Sequence, residues 1–167
     1  MDGKHYLILI VENNAGVLTR ISSLFCQRGF NIDSLTVAST DHPGYSRITV
    51  VFSGNERTYQ QLVLQTSKLI ETKMVIPVEP EFGILRELLL VKIETTAENE
   101  NQVRAIAENN HFRILDQSRG CIVLEMTGEP KEVDLMLGLL KPFKILELCR
   151  TGVTALERGK VTYCFDN

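Results

Sequence analysis

The apolar run at residues 6–11 and the segment that follows it constrain the fold most strongly. Residues 6–11 are continuously apolar, which is typical of a strand. From residue 17 onward the apolar positions recur at helical spacing: Val17, Leu18, Ile21, Leu24 and Phe25. This change of period predicts a strand, a tight turn and the start of a helix.

The turn between this strand and helix is the first candidate site. Asn13 and Asn14 are good N-cap residues, and Gly16 lets a backbone or a ligand approach where a side chain would obstruct it. The N–H groups of the first helical turn can also accept an anion, a carboxylate as readily as a phosphate. The loop is therefore compatible with an ordinary capped turn or with an anion site, and by itself it favours the capped turn.

Composition excludes several classes of function. The chain has 167 residues, 44% of them hydrophobic, which is enough for one medium domain or two of roughly 80 residues. A net charge of −3, without a Lys/Arg-rich run, argues against a nucleic-acid or anionic-membrane surface. No apolar run approaches the ~18 residues of a membrane span, and residues 1–5 do not resemble a signal peptide. We therefore expect a cytoplasmic protein.

The sequence contains no pattern typical of a metal or cofactor site. The residues that commonly bind metals are scattered: Cys26, Cys121, Cys149, Cys164, His5, His42 and His111. They form no C-x-x-C pair and no helical His pair, and the chain has neither a glycine-rich phosphate loop nor a convincing acidic cluster. We therefore expect no metal site, no cofactor site and no His-based catalytic group in this chain.

The first half of the chain has the order βαββαβ. Arg28 and Gly29 supply a cation and a glycine that end the first helix. The following elements are strands at residues 31–38 and 46–53, a helix at 56–71 and a strand at 74–78. In residues 46–53, Ile48, Val50 and Phe52 alternate with Arg47, Thr49 and Val51, as expected of a sheet covered by helices on one face.

The same order is predicted again after an interruption at residues 80–83. Its elements are strands at 88–94, 113–117, 121–127 and 144–150, and helices at 98–109 and 129–140. We therefore predict an α+β chain of two ferredoxin-like βαββαβ domains, residues 1–78 and 88–167, joined by a linker at 79–87. The tail at 151–159 has little periodicity, so it is either a docking segment or a poorly ordered end, and the pattern favours the second.

Each predicted sheet has one face covered by helices, one bare face and open edge strands. Edge strands invite pairing with another chain, because their N–H and C=O groups have no partner. We therefore expect a homodimer.

Several segments, in this order, resemble the small regulatory subunit of acetohydroxyacid synthase, also called acetolactate synthase. The resemblance is carried by residues 12–18, 24–37, 46–49, 86–93 and 150–153, and it spans nearly the whole chain. The Asn-x-x-Gly turn followed by Gln-Arg-Gly-Phe-Asn-Ile is its most specific part. By this resemblance the first half is an ACT domain, a module that commonly binds amino acids.

The resemblance implies that two ACT domains pair side by side and bind valine, or a related branched-chain amino acid, between chains. The implied site consists of Asn13, Gly16 and Asn31, with Asn14, Ala15, Val17, Leu18 and Ile32 as neighbours. First-turn amides would bind the carboxylate, and Asn13 with Asn31 of the partner chain would bind the ammonium. Val17, Leu18 and Ile32 would form the apolar socket.

The function implied is a regulatory subunit without catalysis of its own. It would activate a large catalytic subunit, which carries thiamine diphosphate, magnesium and FAD, and would confer feedback inhibition. One alternative is a small stand-alone enzyme with a carboxylate pair, Glu79 with Glu81 or Glu12 with Asp33. Another is an amino-acid-sensing ACT regulator of a different enzyme or of transcription, although a helix-turn-helix and a basic face are missing.

Overall fold

The computed structural model describes residues 3–27, 29–118 and 120–160, and in it the order βαββαβ occurs twice. The first set is β1 (Gly3–Glu12), α1 (Val17–Gln27), β2 (Ile32–Ser39), β3 (Tyr45–Gly54), α2 (Glu56–Thr66) and β4 (Thr72–Val78). The second set is β5 (Gly83–Glu94), α3 (Glu100–Asn109), β6 (Arg113–Ser118), β7 (Cys121–Gly128), α4 (Pro130–Leu140) and β8 (Ile145–Arg150), and β9 (Thr154–Glu157) follows. The predicted fold class is confirmed. Arg28, the predicted helix-ending cation, and Cys164 lie outside the described residues.

The chain packs as two units whose boundaries differ from the predicted ones. The N-terminal unit is Met1–Ile84 with Val153–Asn167, and the second unit is Leu85–Gly152. Residues 83–87, predicted as part of a linker, belong to β5, where every second residue from Gly83 to Ile93 is buried. Residues 153–160, predicted as part of the second domain's tail, pack with the N-terminal unit instead.

The N-terminal unit is an antiparallel sheet in the order β2-β3-β1-β4, with α1 and α2 on one face. Its core contains Leu7, Leu9, Val11, Val17, Ile21, Phe25, Ile48, Val50, Phe52 and Leu62. The positions 17, 21 and 25 are four residues apart, so one stripe of α1 faces the sheet. Full burial of a side chain such as Phe25 contributes roughly 1.5–3 kcal/mol.

The face of this sheet opposite the helices, which we call the helix-free face, is not bare as predicted. Its residues Tyr6, Ile8, Ile10, Thr49 and Val51 are at most 8% exposed. Burial on both faces accounts for the continuous apolar run in β1, because a strand with one wet face would alternate. Part of the cover is the tail, in which Val153 and Ala155 are each 2% exposed.

The second unit repeats the arrangement in the order β6-β7-β5-β8, with α3 and α4 over one face. Its core contains Leu89, Val91, Ile93, Val103, Ala107, Phe112, Ile122, Leu124, Met126, Val133 and Leu140. Of its edge strands, β8 is exposed from Ile145 to Cys149.

An ion cluster holds β8 to the rest of the second unit. The guanidinium of Arg150 pairs with Glu87, which is 6% exposed, and donates to Asp134 Oδ1 at 2.6 Å and to Pro130 O at 3.3 Å. Burial alone would lower the pKa of Arg150, but the hydrogen bonds to Asp134 and Glu87 raise it above its ordinary value. The cluster therefore joins three elements, β5, β8 and α4.

Replacing Arg150 with Met should lower the free energy of unfolding by about 2–4 kcal/mol, because it leaves the buried Glu87 carboxylate without its cation. Urea-induced unfolding measures the change. Arg104→Met is the matched control: it breaks an exposed pair with Glu100 on α3 and should cost about 0.5 kcal/mol or less. Equal losses of stability in the two variants would contradict the interpretation that Glu87 is a buried carboxylate that needs Arg150 as its cation.

Candidate functional site

The loop between β1 and α1 is held by backbone hydrogen bonds. Asn13 N–H donates to Gly44 O at 2.8 Å, which ties the loop to the turn between β2 and β3. Val17 N–H donates to Asn14 O at 3.3 Å and closes the turn. Gly16 has φ +89°, and a Cβ built there would meet nothing within 4 Å. The glycine is therefore required for its left-handed backbone, whereas the sequence suggested that it was required for space.

The first turn of α1 presents N–H donors to solvent. Arg20 N–H bonds Gly16 O, but within the described part of the chain Leu18 and Thr19 N–H find no acceptor. The first turn also contains no acidic side chain, so the positive end of the helix is not neutralised locally. These two donors can bind a carboxylate.

The structure argues against Asn13 and Asn14 as helix caps. The side-chain amide of Asn14 donates to Glu12 Oε2 at 3.0 Å, and among the described residues Asn13 makes no side-chain hydrogen bond. By contrast, Asn55 does cap α2, since its Oδ1 accepts Thr58 N–H at 2.9 Å. The exposed Asn13 amide is therefore available to a ligand.

The apolar residues of the loop separate into two kinds. Val17, predicted to line the socket, is 6% exposed and belongs to the core of the N-terminal unit. Leu18 is 43% exposed and lies beside the free amides of the first turn. Ala15 is also exposed. Of the predicted apolar residues in this loop, Leu18 is thus the large one that can contact a ligand.

Two cations near the loop were not predicted, and both are engaged. Lys73 Nζ lies 3.1 Å from Glu12 Oε1, and this hydrogen bond raises the pKa of Lys73. Arg20 pairs with Glu71. The end of β1 lies beside the start of β4, but a sequence pattern does not show which side chains of neighbouring elements will pair there. Because both cations are already paired, the helix amides remain the main attraction for an anion.

Asn31 and Ile32 lie at the other end of the same sheet. Ile32 pairs with Phe52 of β3, whereas Glu12, next to the loop, pairs with Tyr45. The seven positions from Tyr45 to Phe52 correspond to roughly 23 Å along the strand. One copy of the chain therefore does not bring Asn31 and Ile32 to the loop.

The surroundings of Asn31 form a small polar network. Its amide donates to Asp33 Oδ1 at 3.4 Å, and Ser53 Oγ donates to Asp33 Oδ2 at 2.7 Å. Asn31 is exposed and Ile32 is half-buried on the edge strand β2. Both residues are accessible from the open edge of the sheet.

Two other kinds of site are not found among the described residues. Among the described residues, no three His, Cys, Asp or Glu side chains are grouped as a metal site would require. Within the same residues, no helix is long and apolar enough to cross a membrane.

Comparisons with known proteins match both halves of the chain. The family described as "AHAS small subunit-like ACT domain" matches residues 7–73, and the family described as "Small subunit of acetolactate synthase" matches residues 86–159. A probable acetolactate synthase small subunit of Methanothermobacter thermautotrophicus is 39% identical over 95% of each chain. The acetolactate synthase small subunit of Bacillus subtilis is 38% identical over 93% of this chain and 91% of that protein. The crystal structure of the acetolactate synthase small subunit from Thermotoga maritima has a TM-score of 0.88 and 33% identity, covering 95% of this chain and 99% of that one.

Replacing Asn14 with Ala should change the free energy of unfolding by less than about 0.5 kcal/mol, because its amide bonds an exposed carboxylate rather than capping α1. Asn55→Ala should cost about 1 kcal/mol, because it removes the cap of α2. Urea unfolding of the two variants compares them directly. An Asn14→Ala loss as large as that of Asn55→Ala would restore the capping interpretation.

Proposed function

Because the chain belongs to the acetolactate synthase small-subunit family, we propose that it activates a large catalytic subunit and confers feedback inhibition by valine or a related branched-chain amino acid. The catalytic subunit carries the thiamine diphosphate, magnesium and FAD, and this chain acts in the cytoplasm without a cofactor. The observation that carries the proposal is the position of the implied binding residues. The Asn13 loop lies at one end of the sheet, and Asn31 and Ile32 lie at the other. Such a site is completed by a second copy of the chain.

The open edge of β2 supplies the geometry for that second copy. Two β2 strands related by a two-fold axis run antiparallel, so the start of one strand meets the end of the other. The end of β2 pairs with the start of β3, where Ser39 lies opposite Ser46, and this is the end of the sheet that carries the Asn13 loop. Asn31 and Ile32 of the second copy are thereby brought to the loop of the first.

Each part of a branched-chain amino acid has a matching group in this arrangement. The Leu18 and Thr19 N–H groups bind the carboxylate at the positive end of α1. The Asn13 side-chain oxygen and Asn31 of the second copy accept hydrogen bonds from the ammonium. Leu18 and Ile32 of the second copy contact the aliphatic side chain. Val17 contributes through the core that orients the helix rather than through direct contact.

Inhibition requires that valine prefer one arrangement of the regulatory dimer. A ligand with equal affinity for both arrangements shifts nothing, however tightly it binds. A site made from two copies meets this requirement, because any change in how the two β2 edges meet moves one half of the site against the other.

Gly16→Asp and Asn13→Ala should each weaken valine binding about tenfold or more, while activation of the catalytic subunit without valine stays near normal. Asp at position 16 places a negative charge at the amides that bind the carboxylate, and Ala at position 13 removes an acceptor for the ammonium. Calorimetry on the purified chain and inhibition of the assembled enzyme measure the two effects. Unchanged valine inhibition in both variants would exclude this loop as the site.

Two controls separate charge from backbone strain. Gly16→Ala has the same positive φ to satisfy but adds no charge, so it should retain more affinity than Gly16→Asp. Gly120→Asp introduces the same residue at a glycine with φ +77° in the turn between β6 and β7. It should lower stability without altering valine binding.

Subunit exchange tests whether each site is shared between copies. Asn13→Ala and Asn31→Ala homodimers should both bind valine weakly, but a heterodimer of the two has one site with both changes and one site with neither. Random mixing makes about half of the dimers heterodimers, so about a quarter of the sites should recover full affinity. Calorimetry before and after exchange measures the recovery. No recovery, with exchange verified by mass spectrometry, would place both residues in one copy's site.

A further inference from the structure

The tail segment Val153–Arg158, which we call the strap, is bound to the N-terminal unit at three points, two on its sheet and one on the turn between β4 and β5. Val153 N–H donates to Ser34 Oγ at 3.1 Å, and Arg47 Nη2 donates to Ala155 O at 2.6 Å. Arg158 N–H donates to Phe82 O at 3.0 Å. Ser34 and Arg47 lie on the helix-free face, because they share its register with Val51 and Ile10.

The strap faces the sheet with alternate residues. Val153 and Ala155 are each 2% exposed, whereas Leu156 is 59% exposed. This alternation is that of a strand with one buried side, which distinguishes an integral element from a loosely adhering end. Two small apolar side chains and three hydrogen bonds thus anchor it.

Arg47 depends on the strap for its hydrogen bonding. Its guanidinium is half-buried in the helix-free face, and burial lowers its pKa, with the nearby Glu157 charge acting in the opposite direction. A buried guanidinium is costly unless acceptors surround it. The strap supplies the Ala155 carbonyl as an acceptor and the negative charge of Glu157 nearby, so the position of Arg47 and that of the strap are mutually dependent.

The strap also contacts the strand that carries the proposed effector residues. Ser34 follows Ile32 on β2, and the register of β2 with β3 shifts between these two residues. Such a bulge is a point where a strand can change its local direction and re-aim a side chain. We therefore expect a ligand that fixes Ile32 to shift Ser34, whose Oγ accepts the hydrogen bond from Val153 N–H.

The chain leads directly from the strap into the second unit. Gly152, at φ +82°, is the residue before Val153. Before it, Thr151 is fixed to β5 by two hydrogen bonds with Leu88, N–H to O at 3.1 Å and Leu88 N–H to Thr151 Oγ1 at 3.0 Å. A single residue thus separates a segment anchored in one unit from a segment anchored in the other.

We propose that the strap responds to effector binding at β2 and transmits that response along the chain to residues 85–152. Arg47 and Ser34 are its positioning residues. This role rests on the proposed function, in which Asn31 and Ile32 form part of the valine site. The residues that the strap bonds, Ser34, Arg47 and Phe82, are not among the proposed valine-binding residues. A variant that detaches the strap should therefore lower the maximal inhibition by valine while leaving the affinity for valine nearly unchanged.

The test compares valine affinity with maximal inhibition in the assembled enzyme. Arg47→Met in the full-length chain should bind valine within about threefold of the unaltered affinity and activate the catalytic subunit normally without valine. Inhibition at saturating valine should fall to half or less of its normal extent. Arg47→Lys, which keeps a cationic donor, should restore part of the inhibition. Arg57→Met, an exposed arginine of α2, is the matched control and should leave inhibition intact.

Ser34→Ala provides a second, milder variant in case Arg47→Met does not fold. It removes only the acceptor for Val153 N–H and should also lower maximal inhibition more than affinity. Normal maximal inhibition in the folded variants, or parallel losses of affinity and inhibition, would overturn the proposal. Absence of valine binding to the unaltered chain would contradict the proposed function as well, so the two failures are distinguishable.

Discussion

The antiparallel register of β1 with β3 determines where the other parts of the N-terminal unit lie. It sets Glu12 opposite Tyr45 and His5 opposite Phe52, so the loop after β1 and the start of β2 are at opposite ends of the sheet. A slip of one residue would turn every side chain of β1 to the other face and expose the helix-facing core. The same register that protects the core therefore prevents one copy from assembling the proposed site alone. The dimer that we propose for regulation is thus consistent with a packing requirement of the single chain.

Burial of β1 on both faces creates a second requirement. Ile8 is fully buried on the face without helices, and a sheet that carries apolar residues there needs cover. The strap supplies part of that cover from a distant point of the chain, since Arg47 and Ala155 are 108 residues apart in sequence. In the proposed dimer, the open edge of β2 pairs with a second copy while the strap occupies the face. The two contacts use different surfaces of one strand and need not compete.

Much of the fold could be predicted because the local periodicity of apolar residues determines the helices and strands. The helical spacing of Val17, Ile21 and Phe25 and the apolar run of β1 specify elements and their core faces, and the resemblance to acetolactate synthase small subunits is confirmed by the comparisons. The strap could not be predicted, because two inward-facing residues are too few to establish a period. The left-handed backbone of Gly16 and the burial of Val17 also depend on where the helix begins, which a sequence pattern locates only to within about two residues.

A site completed by a second copy couples ligand binding to association. Free energy gained from valine at such a site stabilises the paired state over the separated one, and association in turn raises the apparent affinity for valine. The helix amides of Leu18 and Thr19 are present in a single copy, but Asn31 lies too far away to act on the same ligand, so an isolated copy offers only half of the interactions. In our proposal the strap adds an intramolecular step to this linkage, because its partner Ser34 lies on β2, the strand through which the two copies would pair. In this proposal the affinity for valine depends on how two chains pair, and the inhibition that valine causes depends on the strap of each chain.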